Sequence, residues 1–89
     1  MNNKKSSIAF VVMRKNTDLT VNLATSTPEK MEFVHINHTI FEEAVKTSTE
    51  ASEKVKALCT KTNDYSVHDF EIIKYERSSW KEAARISVI

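Results

Sequence analysis

The sequence predicts a small α+β domain: a mostly antiparallel sheet in the order β-β-β-α-β-β, with one principal helix packed on one face. Three observations predict it. The N-terminal third is rich in β-branched and aromatic residues at period two, residues 40–61 repeat apolar side chains at helical spacing, and the last quarter returns to strand composition.

Residues 1–6 are polar and read as a flexible tail, leaving residues 7–89 as the single domain. In "SIAFVVMRK", Ile8, Phe10 and Val12 point one way and Ala9, Val11 and Met13 the other. A strand apolar on both faces is predicted to lie inside the sheet, or to offer its second face to a partner. "KNTD" at 15–18 is a turn, and "LTVNLAT" alternates with Leu19, Val21 and Leu23 inward, which completes a hairpin. "STPEK" holds the only proline and reads as a connection, and "MEFVHIN" as a third strand.

Thr39 with Glu42 three residues later has the form of a capping box. From there Phe41, Ala44, Val45, Ser48, Ser52, Val55, Leu58 and Cys59 mark one helical stripe, so a continuous helix is predicted from about 40 to 61. The weak helix formers of "KTSTEAS", with Thr47 and Glu50 as a second start signal, keep a break there as the alternative. "DFEIIKYE" reads as a strand, and the tail "WKEAARISVI" as the second arm of a hairpin turning across "ERSS". Ser79 with Glu82 capping a short helix is the competing reading of that tail.

Composition removes several functional classes. The chain has no glycine. A P-loop, a GxGxxG turn and a GxSxG elbow all need glycine, because backbone amides must approach a ligand with no Cβ in the way. A net charge of +1 over 89 residues gives no overall field toward nucleic acid or an anionic membrane. No apolar run approaches the roughly 20 residues of a membrane helix, and "IAFVVM" is shorter than a signal peptide's apolar region. The single Cys59 has no internal disulfide partner, so a reducing, cytoplasmic location is expected. Asn37-His38-Thr39 matches a glycosylation pattern that, without secretion, is inert.

The stretch "FVHINHTIFEEAV" places His35 and His38 just before Glu42 and Glu43, the residue types of a zinc or iron site. Spacing argues against convergence. An odd interval across a strand end sends His35 and His38 to opposite faces, Glu42 is assigned to the cap, and His68 lies in another segment. No metal site, cofactor or catalytic residue is predicted. Cys59 falls on the apolar stripe near a helix C-terminus, where the dipole disfavours a thiolate, and reads as core filler.

The last quarter carries the candidate contacts. Tyr75, Arg77, Trp80, Lys81, Arg85 and Val88 combine the aromatic and arginine character of interface anchors with an apolar strand end. Lys74, Arg77, Lys81 and Arg85, interleaved with rings and joined by Lys4 and Lys5, form the competing nucleic-acid surface. Asp69, Glu71, Glu76 and Glu82 in the same stretch oppose that second use. Apolar strands 8–13 and 86–89 exceed what one thin domain is expected to hide, which favours a partner. The expected function is therefore a non-enzymatic regulatory or inhibitory domain that binds another protein by occupying its surface. A homodimer through an edge strand is one form of this, and nucleic-acid binding is the alternative. Viruses and mobile elements commonly encode such small accessory proteins, which sets an origin as a prior rather than a reading of residues.

Overall fold

The computed structural model describes residues 7–42, 44–60 and 64–88, with the side chains of Thr39 and Glu42 also outside the description. The order is β1 (Ile8–Arg14), β2 (Leu19–Val21), β3 (Phe33–His35), α1 (His38–Glu42), α2 (Ser48–Thr60), a single 3-10 turn (Val67–Asp69), β4 (Phe70–Glu76) and β5 (Lys81–Ser87). The five strands form one antiparallel sheet in the order β3-β2-β1-β4-β5. The α+β class and the interior position of β1 follow the sequence pattern.

The β1–β2 turn uses Asn16 in the left-handed region, φ 63°, where an L-residue other than glycine or asparagine is disfavoured. Thr17 closes the turn, its hydroxyl and amide both donating to the Arg14 carbonyl. β2 is much shorter than the predicted 19–25. Asn22 ends it: its side-chain oxygen accepts from the amides of Ala24 and Thr25 at 3.0 and 3.3 Å, a local turn that outcompetes the ladder. The loop returns through Pro28, with the amide of Asn22 donating to Glu32 at 2.8 Å to resume pairing with β3.

Helix 40–61 divides, as the alternative reading allowed. Asn37 caps α1, its side-chain oxygen accepting from the Ile40 amide at 3.1 Å; the predicted Thr39–Glu42 box lies outside the described side chains. Thr47 caps α2 by accepting from the Glu50 amide at 3.1 Å. Between the two helices the chain passes from one face of the sheet to the other. Ile40, Phe41 and Ala44 pack with Val11, Met13, Ile73 and Tyr75; Val45, Ala51, Val55 and Leu58 pack with Val12, Val21, Phe70 and Ile72. The passage uses the gap left by short β2. There the amide of Phe10 donates to the Val45 carbonyl at 3.1 Å, an isolated bridge in the place of a longer strand.

This corrects the expectation of an apolar surplus on strand 8–13. Ala9, Val11, Val12 and Met13 are all buried within the chain, because α1 covers the face that α2 does not. One helix on one face becomes one principal helix, α2, with a short second helix opposite it.

The second hairpin spans the predicted turn. Trp80 takes the left-handed conformation, φ 53°, a position at which glycine is usual and this chain has none. Its amide donates to Glu76 at 2.7 Å, and its ring stacks on Phe41 with centroids 4.2 Å apart. Packing thus holds a backbone conformation that the residue alone would avoid. Trp80→Gly relieves about 1–2 kcal/mol of backbone cost but removes ring burial and stacking worth roughly 2–4 kcal/mol together. Urea denaturation followed by circular dichroism should show net destabilisation on the order of 1–2 kcal/mol. Asn16→Gly, with no ring to lose, should be neutral or slightly stabilising.

Candidate functional site

The candidate contacts fall on the β4–β5 hairpin, and the fold sorts them into buried and presented groups. Tyr75 and Val88 belong to the core. Tyr75 is packed edge-on against Phe41 with centroids 4.9 Å apart, and Val88 sits in the cluster under α2, so neither is offered to a partner. Trp80 is half-buried at the turn, with His38 edge-on to its ring at 5.8 Å. Arg77 is half-buried too; its Nε and Nη1 are shielded from water and, among the described residues, donate to no acceptor. Lys81 is exposed and stands opposite Glu76 in the ladder.

Arg85 is exposed but occupied. Its Nε and Nη2 donate to the two carboxylate oxygens of Glu82, and Nη1 donates to Glu71 at 3.1 Å. The two carboxylates hold the guanidinium proton more firmly than usual, Glu82 foremost. Lys74 pairs with Ala84, one step along from Arg85 opposite Ile73, so the two cations lie on opposite faces of the sheet. The proposed nucleic-acid contacts Lys74, Arg77, Lys81 and Arg85 therefore do not converge on one surface. Lys4 and Lys5 lie outside the described residues.

A β-bulge explains how Glu82 reaches Arg85. Lys74 faces Ala84 while Tyr75 faces Glu82, leaving Ala83 as the extra residue. Residues three apart then share a face, which a regular strand forbids. β5 has β4 on one side and, among the described residues, no strand on the other. Beside that open edge runs a groove of about 250 Å³ between α2 and the sheet, lined by Ser48, Ser52, Glu53, Lys56, Ile72 and Ile86. Ile72 is fully buried at its floor, and Ile86 is half-buried.

The histidines stay apart from one another's chemistry. His35 lies on edge strand β3 with Nδ1 3.4 Å from Asp18, His38 opens α1, and His68 is exposed in the 3-10 turn. Among the described residues no three of His, Cys, Asp and Glu come together as a metal-ion ligand set. No helix among the described residues is long and apolar enough to cross a membrane.

One cluster escaped the sequence reading. The Arg14 guanidinium lies 5.6 Å from the Phe33 ring centroid and 5.5 Å from that of Tyr65, capping an aromatic group completed by Phe70. Arg14 carried no signal beyond its share of N-terminal charge, because Tyr65 meets it only through the fold. The cluster closes the end of the core, as an arginine over exposed ring faces does.

Known protein families, curated proteins and solved structures yield no match to this chain.

Two acidic groups give the domain a pH limit. Burial, reinforced by Asp69, pushes the Cys59 thiol up; burial, with Glu82 adding and Arg85 opposing, pushes the Tyr75 phenol up. The native state keeps both protons where the unfolded chain has released them. The resulting stability is present in full below the ordinary values and is lost as pH rises through the raised ones. Denaturant midpoints should hold steady to about pH 9 and fall above it. Cys59→Ala should remove the earlier part of that fall.

Proposed function

We propose that this chain is a non-catalytic domain that acts by binding another protein, with the β5 edge as its contact. The observation that carries the reading is the open seven-residue edge of β5 running beside the groove floored by Ile72 and Ile86. An unpaired edge presents a row of N–H and C=O groups to an added strand. Such addition gains affinity from main-chain hydrogen bonds, and it gains selectivity where alternate side chains enter a neighbouring pocket. Here every second side chain of an added strand would face the groove. Trp80 and Lys81, at the start of the same edge, extend the contact toward the turn. Occupying a partner's own strand or edge is a regulatory or inhibitory act that needs no catalytic group, and the unpaired Cys59 suits a cytoplasmic setting.

Three placements weigh against the nucleic-acid alternative. Arg85 is neutralised by Glu82 and Glu71, Lys74 lies on the other face, and Tyr75 is not available for stacking.

Proline is tolerated at bulges of edge strands yet obstructs a neighbouring strand. Ala83→Pro should therefore keep the circular dichroism spectrum while abolishing capture of a protein that the wild-type chain retains from a lysate of its own host. Equal capture by both forms would overturn the reading. Gel-shift titration with mixed DNA and RNA should show no salt-sensitive retardation; retardation that weakens steeply with salt would restore the alternative.

A further inference from the structure

We infer that the protein seated on the β5 edge is a second copy of this chain, joined strand to strand in antiparallel register about Ala83 and Ala84. The inference rests on the protein-binding reading above and names its partner. The edge reads Lys81-Glu82-Ala83-Ala84-Arg85-Ile86. Its central four residues are opposite in charge at the two ends and small in the middle. Laid antiparallel on itself about that centre, the strand sets Glu82 of each copy against Arg85 of the other, twice in one interface. Opposite charges directly across a strand pair stabilise it, and like charges disfavour it.

The bulge makes the match possible. Because Ala83 is the extra residue, Glu82 and Arg85 share one sheet face, as their positions opposite Tyr75 and Ile73 require. Across the two-fold axis they meet on that same face. Within one chain Arg85 already holds Glu82 and Glu71. In the pair it keeps its own Glu71 and exchanges one Glu82 for the other copy's, so its charge is never left unmatched. Ala83 and Ala84 bring no bulk to the axis, and half-buried Ile86 beside it gains cover on the groove face. An interface of this kind is isologous: the same patch serves both copies, and the pairing occupies the β5 edge of each.

Sedimentation velocity of the pure protein tests this through charge reversal. The wild type should sediment as a dimer that dissociates on dilution. Arg85→Glu sets glutamate against glutamate at both pairs, and Glu82→Arg sets arginine against arginine. Each should weaken dimerisation at least about tenfold, as two like-charge pairs cost roughly a factor of ten. An equimolar mixture of the two variants should dimerise again, since acidic strand then meets basic strand. The double variant E82R/R85E should dimerise alone. Circular dichroism confirms that each variant is folded.

A wild type that stays monomeric at the highest attainable concentration overturns the inference. So does a dimer indifferent to both reversals and to their mixing, because its contact lies elsewhere. A monomer whose capture of a different protein is abolished by Ala83→Pro would sink the self-pairing and leave the protein-binding reading standing. A monomer with no such capture would sink both.

Discussion

The structure depends on one constraint: β1 is apolar on both faces and must be covered on both. A 89-residue chain has little with which to do this. The solution is the passage at Val45. By ending β2 after three residues, the fold opens a place in the sheet next to β1, and the chain goes through it from α1 on one face to α2 on the other. Ala44 and Val45, consecutive in sequence, pack in opposite layers. The bond from the Phe10 amide to the Val45 carbonyl satisfies a donor that would otherwise be orphaned in the middle of the sheet. The break between the helices is thus required by topology, and the weak helix formers around Thr47 permit it.

Covering β1 from within the chain moves the question of partners to the sheet's edges. β3, at one edge, is only three residues long. β5, at the other, is seven residues long, carries a bulge and is bordered by a groove. Charges and bulges on edge strands commonly prevent indiscriminate pairing. In β5 the bulge sets Glu82 and Arg85 on one face, so the antiparallel register proposed above would bring each opposite its counterpart. The carboxylates of Glu82 and Glu71 offset the charge of Arg85 at that edge.

Much of the fold was legible in the sequence because it rests on local periodicity. The strands around Val12 and Ile72 and the interior place of β1 follow from alternation, and the turn expected across residues 76–79 lies one residue on, at 77–80. What was not legible depends on side-chain competition with the backbone and on long-range geometry. Asn22 could not be seen ending β2, because alternation continues through Leu23 and the Asx turn is invisible to it. Asn37, which alternation does not mark, accepts from the Ile40 amide at the start of α1. The candidate residues fall on and just beyond the β4–β5 hairpin, yet pattern alone could not tell that Tyr75 and Val88 face the core while Arg77 and Trp80 remain half-exposed. The bulge at Ala83, which gives the hairpin its surface chemistry, has no signature in residue type.

Native-state hydrogen exchange at the Phe10 amide tests the central claim most directly. If the chain passes through the sheet at Val45, this amide exchanges as slowly as those β1 donates to β4, opening only when the domain unfolds. If it exchanges at the rate of the turn amides at 15–18 while the rest of β1 stays protected, no passage closes the sheet there, and the account of how both faces are covered is contradicted.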